Sequence, residues 1–415
     1  MKMSTENNIP YDKSINNFII EIGLSLYLTL PQLKHICEFI FGASGRGYNG
    51  KVSHISENCY SSTHRTSVGK FLSKSPWNED YVLRALQQFA IKKIWQLSKD
   101  TGEPIYMIID DTICKKTKPS SRAKNPIEKC QFHQSHLEGK QVYGHQVVGI
   151  LLQCGEVTIP YQLTPYDKTR MNEFNKKVTK IEIVINAISS LPTPPKKGFI
   201  LGDSWYSAEK IIKAAKLRGF DYIGALKTNR IIYPKCCRMN QKISGFAKMI
   251  NKEDFHLVTV NKTSYYVYRY EGKINGFKNV VILISYPENA LYNQNALRSF
   301  ISTDTSLTVE EILFEYTQRW TIEVFFRQNK MQLGFDNYQV RSEKAIKRFW
   351  LLTQLSYFYC TFGVSENHCK FGEGLKIARK NSVQNLIDWV YIQSQNGVSK
   401  EDIFDTLKLS QNKCA

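Results

Sequence analysis

The sequence predicts an α/β protein with a mixed sheet flanked by helices, a helical N-terminal part and a β-rich insertion. Three patterns support this class. From residue 104, three apolar runs follow one another directly, as antiparallel strands do, and later runs alternate with amphipathic helices, as in parallel sheets. The first hundred residues have helical periodicity. Residues 224–298 alternate between apolar and polar side chains and interrupt the α/β order.

Composition limits the function classes. The 415 residues are 42% hydrophobic, enough for two or three domains with real cores. The net charge of +19 predicts a polyanionic partner, with nucleic acid the usual one and an anionic membrane the alternative. No run of about 18 apolar residues and no signal peptide is present, so we expect no membrane span and a cytoplasmic location. The ten scattered cysteines contain no C-x-x-C pair, which favours reduced thiols over disulfides or zinc.

Residues 1–100 are predicted to form a helical domain. Pro31 opens one helix and Gly42 ends it, and Asn78 caps a second helix that continues to residue 100. A basic segment lies between them, with His64, Arg65, Lys70 and Lys74. Two interpretations remain open: a DNA-binding domain that uses residues such as Arg65, or a solvated helical bundle.

Residues 101–223 are predicted to form the first part of the sheet. One strand ends at Asp110–Asp111, a hairpin turns around Cys154–Gly155, a helix covers residues 172–190, and another strand ends at Asp203. Crossover handedness places the two acid-bearing strands side by side, so their acids meet at one edge. Pleating points Asp110 and Asp111 to opposite faces, so only one of them can join Asp203. The residues alone leave both possibilities open.

Two stretches near these acids are strongly basic. The loop 115–129 holds six cations against one acid: Lys115, Lys116, Lys118, Arg122, Lys124 and Lys129. The insertion 224–298 has no acid before residue 253 and reads as a mostly β subdomain. Long basic loops beside carboxylates suit a phosphodiester substrate, although runs of lysine are often only solvated.

Residues 299–345 carry the most informative stretch, predicted as one long helix from Thr308 to Gly334. A capping box marks its start and the glycine its end. At about 100° per residue, four polar residues share an arc of about 60°. They are Tyr316, Arg319, Glu323 and Lys330. An acid among cations suits a site for divalent metal and phosphate, whereas a solvated i,i+4 salt-bridge ridge is the alternative.

Residues 346–415 are predicted to form a helical C-terminal region whose apolar helices could serve a dimer contact. Elsewhere, His133, His136 and His145 are close in sequence, but no further ligand completes a zinc set, so we expect phosphate contact or packing. Trp205 could stack on a displaced base, although packing is the ordinary role of a tryptophan.

The segment "YTQRWTIEVFFRQNK" at 316–330 matches the Y-(2)-R-(3)-E-(6)-K signature of bacterial insertion-sequence transposases of the DDE type. With "MIIDDT" and "ILGDSWYS", the sequence resembles this group over roughly residues 100–345. The resemblance implies an RNase-H-like core, cleavage at terminal inverted repeats of double-stranded DNA, and strand transfer into target DNA. It also implies two Mg²⁺ (or Mn²⁺) ions, a homodimer on paired DNA ends, and a cytoplasmic enzyme associated with the nucleoid.

The resemblance also implies roles for individual residues. Asp203 and Glu323 become the second and third acids, and all three acids bind metal. The group closes its first strand with Asp-x-Thr, which favours Asp110 as the first acid and leaves Asp111 as the alternative. The cations and phenol of the signature carry over as contacts to DNA ends, at Tyr316, Arg319 and Lys330. Members often hold a flipped base with an aromatic residue of the insertion, for which Phe300, Tyr265 and Tyr266 are candidates.

Two other functions compete with transposition. The same fold could serve a structure-selective nuclease or resolvase that never joins ends. A DNA-binding protein that has lost catalysis is the other possibility. The acid triad argues against the latter, because binding alone would favour removal of three negative charges beside phosphate.

Overall fold

A computed structural model describes residues 13–59, 64–135, 138–235, 237–260, 262–407 and 409. The described residues of its N-terminal part are mostly helical. The helices there are α1 (Lys13–Ile22), α2 (Leu30–Ser44), α3 (Val52–Asn58), α4 (Arg65–Ser73) and α5 (Glu79–Thr101). Thr29 and Gln32 form the capping box that starts α2, with Pro31 in its first turn. The Asn78 side chain caps α5 through the N–H of Asp80.

The described residues contain one mixed sheet of twelve strands. The strands of its first half are β1 (Ile105–Lys115), β2 (Gln131–Ser135), β3 (Lys140–Cys154), β4 (Val157–Tyr166), β5 (Gly198–Gly202) and β6 (Asp221–Leu226). Strands β1, β5 and β6 run parallel, and β3 pairs antiparallel with β1 and β4. Three successive antiparallel partners followed by parallel crossovers are the order that the apolar runs predicted, so the mixed α/β class is confirmed.

The predicted insertion continues this sheet. Its strands, with β12 that follows, are β7 (Ile231–Ile232), β8 (Gln241–Lys242), β9 (His256–Val260), β10 (Thr263–Ile274), β11 (Phe277–Pro287) and β12 (Arg298–Ser302). Strand β12 pairs antiparallel with β6, and β11 and β10 extend the ladder beyond it. Backbone hydrogen bonds therefore connect β10 and β11 of the insertion to the central strands through β12.

Two predicted helices differ from the structure. Helix α6 spans Lys180–Ser189 and not 172–190, because the capping box of Thr179 and Glu182 starts it there. The predicted single helix Thr308–Gly334 is two helices, α9 (Val309–Thr317) and α10 (Trp320–Leu333). Around Gln318 and Arg319 the backbone makes i→i+3 hydrogen bonds of 3.1–3.2 Å, a tighter turn that interrupts the α-helical ladder.

The remaining helices pack around the sheet. They are α7 (Glu209–Leu217), α8 (Ile243–Phe246), α11 (Glu343–Phe358), α12 (Phe371–Gln395) and α13 (Lys400–Thr406). Most of α11 is buried, and its Arg348 donates to Glu79, to the Phe71 carbonyl of α4 and to the Ser75 carbonyl between α4 and α5. The N-terminal helices and the sheet consequently share one hydrophobic core. No helix of the described residues is long and apolar enough to cross a membrane.

Candidate active site

Two acids lie together at one edge of the sheet. The last parallel pair of β1 and β5 is Ile109 with Gly202, and the next residue along each chain segment is an aspartate, Asp110 and Asp203. Asp203 follows the end of β5, but the prediction that the first strand ends at Asp110–Asp111 is wrong, because β1 continues to Lys115 in antiparallel pairing with β3. Burial, and next the negative charge of Asp203, raise the pKa of Asp110 to about 7. The predicted meeting of the two acids is therefore present in the fold, and their mutual repulsion makes the edge a place that favours a cation.

The face on which Asp110 lies is fixed by its partner across the ladder. Asp110 pairs with Gly149 of β3, and a Cβ at Gly149 would come within 2.6 Å of the Phe326 ring on α10. The missing side chain lets α10 approach the sheet closely there. Asp110 therefore points toward the helix that carries Glu323.

Asp111 points to the opposite face, and its carboxylate already accepts hydrogen bonds from three side chains. Lys180 Nζ and Tyr206 Oη each donate to its Oδ1 at 3.0 Å, and Gln146 Nε2 donates to Oδ2. Tyr206 also donates its N–H to Asp203 Oδ1 at 3.2 Å. This network links Asp111 of β1 to Asp203 after β5, on the face of the sheet opposite α10. Neither Lys180 nor Tyr206 was a candidate from the sequence: Lys180 lies in no motif, and Tyr206 lies in "ILGDSWYS", where only the aspartate and the tryptophan suggested a role.

Arg319 joins the remaining acid to the pair. Its Nη1 lies 3.1 Å from Asp110 Oδ2 and its Nη2 lies 2.5 Å from Glu323 Oε1. The tight turn between α9 and α10 places this guanidinium between a strand and a helix. The Arg319 Nε is buried and has no hydrogen-bond acceptor among the described residues. A buried, unsatisfied donor of this kind suits an additional anionic oxygen.

The expected convergence of three acids on one metal site is present only in part. No group of three or more His, Cys, Asp or Glu side chains is arranged to hold a metal in the described part of the chain. Asp110 and Asp203 are neighbours, whereas Glu323 reaches them through the guanidinium of Arg319. The donors are nevertheless hard carboxylate oxygens, which is the chemistry that Mg²⁺ and Mn²⁺ require.

The other residues of the predicted ridge also face the sheet. Tyr316 packs on Phe300 of β12 with ring centroids 4.8 Å apart, and burial raises its pKa. Lys330 Nζ donates to Thr112 Oγ1 at 2.8 Å and to the Ile113 carbonyl at 3.1 Å. The ridge is half-buried against β1 and β12, so the alternative of a purely solvated ridge does not describe it.

The basic candidates outside this ridge differ from one another. Arg65, the first residue of α4, is exposed, and Lys115 is exposed beside Glu138. Lys116 is half-buried and donates to the carbonyls of Asp336 and Tyr338 at 2.6 and 2.8 Å. Burial lowers the pKa of Lys116. Its ammonium is engaged inside the protein and does not project toward a ligand.

The histidines and aromatic residues have distinct surroundings. His145 is buried between the Tyr338 hydroxyl and the Glu128 carbonyl, burial lowers the pKa of His133 to about 4, and His136 lies outside the described residues. Of the two alternatives left open for Trp205, packing in the interior does not describe it. Its ring is 54% exposed, with the ammonium groups of Lys180 and Lys227 5.6 and 5.4 Å from its centroid. Of the aromatic candidates for holding a flipped base, Phe300 of β12 packs on Tyr316 of the ridge, whereas Tyr266 of the insertion packs on Phe255.

Comparisons with known proteins bear on the family of the chain. A search of curated proteins finds no match. A protein-family profile described as "Archaeal putative transposase ISC1217" matches residues 73–365, more than two thirds of the chain, and this match includes all three candidate acids. The chain belongs to this family of DDE-type transposases.

Proposed function

We propose that this protein is a DNA transposase with an RNase-H-like core, which cleaves at the terminal inverted repeats of an insertion sequence and joins the freed ends to target DNA. The observation that supports this proposal most is the arrangement of charged side chains at the acids: Asp110 lies beside Asp203, and Arg319 links Asp110 to Glu323. The family match and the net charge of +19 support a nucleic-acid substrate.

Asp110, Asp203 and Glu323 would hold two Mg²⁺ or Mn²⁺ ions, with Asp110 preferred over Asp111 as the first acid. Asp111 already accepts hydrogen bonds from three donors on the other face of the strand. When bound, such ions activate a water or 3′-hydroxyl nucleophile and stabilise the leaving oxygen of a phosphodiester.

The protein residues around the acids would bind and orient the DNA end. The unsatisfied Nε of Arg319 is a donor for a non-bridging phosphate oxygen, and the guanidinium neutralises charge as the phosphate approaches. Tyr316 and Lys330 belong to the same ridge and would contact the neighbouring sugar-phosphate backbone of the DNA. Half-burial of this ridge excludes part of the bulk water and strengthens each of these interactions.

The test is an in vitro reaction with Mg²⁺ and a DNA fragment that carries the inverted repeats flanking the gene. We expect transfer of that end into a plasmid, whereas nicking without joining would indicate a structure-selective nuclease. Glu323→Gln should abolish cleavage and joining but retain DNA binding. Glu310→Gln removes the same charge from an exposed position on α9 and should leave the reaction unchanged. Substantial cleavage by Glu323→Gln would refute the assignment of the acids.

A further inference from the structure

The loop that joins β4 to α6, residues 167–179, lies at the same edge of the sheet as the acids. Strand β4 ends at Tyr166, which is level with Gln146 of β3 and, through it, with Ile113 of β1. The loop returns at Lys180, whose ammonium lies 3.0 Å from Asp111. Both ends of the β4–α6 loop are therefore adjacent to the acid edge, on the face opposite α10.

This loop is basic and exposed. Residues 168–177 contain four basic side chains and one acidic side chain, Glu173. The cations are Lys168, Arg170, Lys176 and Lys177. None of the four forms an ion pair with any described residue, although Lys168 donates to the Phe132 carbonyl at 2.6 Å. Unpaired cations clustered beside a phosphodiester site increase the local attraction for a polyanion.

Apolar side chains project from the same loop. Phe174 is 73% exposed and Met171 is 47% exposed. A single exposed apolar residue on a protein surface is ordinary. An exposed aromatic ring with lysines two and three residues further on is a different pattern, because it offers a stacking surface beside phosphate-binding groups.

The β4–α6 loop has a defined structure of its own. The Asn172 side chain accepts hydrogen bonds from the N–H groups of Phe174 and Lys176 at 3.0 and 2.9 Å. Asn175 adopts a left-handed conformation with φ 56°, which asparagine tolerates better than most residues. At the base, the Asp167 carboxylate accepts from Gln131 at 2.7 Å and from Lys129 at 2.9 Å. These bonds hold Phe174 in place, so less ordering is needed when a partner binds.

We infer that the β4–α6 loop is a DNA-binding element that contacts the duplex next to the reacting phosphodiester. This inference rests on the proposed function. Arg170, Lys176 and Lys177 would bind backbone phosphates, and Phe174 would pack against a sugar or a base. Because α10 and this loop approach the acids from opposite faces of the sheet, DNA bound at the edge would be held from both sides.

The test measures equilibrium binding of a short inverted-repeat duplex by fluorescence anisotropy in EDTA, over a series of salt concentrations. Lys176→Gln/Lys177→Gln should reduce the slope of log affinity against log salt by about 1.8, since each phosphate contact contributes about 0.9. Phe174→Ala should weaken binding by about 5- to 150-fold, the range of a lost stacking contact, and leave the slope unchanged.

Matched controls remove two lysines and one exposed apolar side chain near the opposite ends of the parallel strands. Lys196→Gln/Lys216→Gln removes two exposed lysines there, and Leu217→Ala removes a side chain that is 86% exposed. If the loop variants bind like these controls while the unsubstituted protein binds DNA, the loop inference is overturned and the proposed function stands. If the unsubstituted protein binds no DNA, both are overturned.

Discussion

Replacement of Asp110 by asparagine should stabilise the fold while it abolishes catalysis. Burial and the adjacent Asp203 raise the pKa of Asp110 from its ordinary value of 3.8 to about 7, and this value already includes the opposing attraction of Arg319. A raised pKa means that the folded state favours the protonated acid. The stability that protonated Asp110 confers is complete below 3.8 and is lost as the pH rises through about 7.

The magnitude follows from the pKa difference. At about 1.36 kcal/mol for each tenfold change in the ionisation constant, ionised Asp110 costs the fold about 4 kcal/mol above pH 7. Asparagine has nearly the same shape and carries no charge. We therefore expect Asp110→Asn to raise the free energy of unfolding by up to about 4 kcal/mol at about pH 8, and by less than about 1 kcal/mol at about pH 4.

The assay is urea unfolding at the two pH values, followed by tryptophan fluorescence. Asp304→Asn is a control of opposite sign. Burial works against ionisation of Asp304, but hydrogen bonds from Lys197 and Ser306 outweigh it and lower its pKa. That acid stabilises the fold above its ordinary pKa of 3.8, and the effect is lost as the pH falls through its lower folded value. Asp304→Asn should therefore be less stable than the unsubstituted protein at about pH 8. Asp110→Asn no more stable than the unsubstituted protein at about pH 8 would refute the reasoning.

Added Mg²⁺ extends the same experiment. An ion that binds only the folded protein stabilises it by about 2.7 kcal/mol at a concentration one hundred times its dissociation constant. We expect Mg²⁺ to raise the stability of the unsubstituted protein at about pH 8, where Asp110 is ionised, and to have little effect on Asp110→Asn. Equal stabilisation of both proteins would place the ion elsewhere.

Two further predictions concern residues that the fold engages internally. Tyr206→Phe removes a donor from the carboxylate of Asp111 and should lower the free energy of unfolding by about 1.5–3 kcal/mol. It should also slow strand transfer while DNA affinity is unchanged, which single-turnover kinetics would detect, and an unaltered rate would count against a role of this hydrogen bond in the reaction. Lys116→Met leaves two carbonyls without a donor and should cost about 1–3 kcal/mol of stability, with no change in the salt dependence of DNA binding. Lys115→Met, at an exposed position, should reduce the salt dependence of DNA binding and leave the free energy of unfolding unchanged. A reduced salt dependence in Lys116→Met would contradict the internal role of Lys116.

Several features of the site could be predicted because they depend on local sequence and general sheet geometry. Apolar runs precede Asp110 and Asp203, and crossover handedness makes the two strands parallel neighbours, although β1 continues past Asp110 to Lys115. The alternation of side chains along a strand separates Asp110 from Asp111 without any knowledge of the partners that Asp111 acquires. Helical periodicity likewise placed Arg319 and Glu323 on one ridge.

Other features could not be predicted, because they depend on residues distant in sequence. Arg319 and Asp110 are 209 positions apart, and the ion pair forms only where the α9–α10 turn approaches β1. Lys116 reads as one more cation of a basic loop, yet it lies against Tyr338 through contacts across 222 positions. The extension of the sheet through β12 depends on pairing with β6, which no local pattern specifies.

The sequence by itself determined the α/β class, the two acids that follow apolar runs, the polar ridge that carries Glu323 and the family resemblance. These properties follow from periodicity, capping and motif spacing, which are local. Only the tertiary structure decided which aspartate faces the helix, that a guanidinium links Glu323 to Asp110, and that Trp205 and the β4–α6 loop are exposed beside the acids. The reason is physical: burial, charge pairing and exposure belong to the packed arrangement of distant segments, and they exist only once those segments have come together.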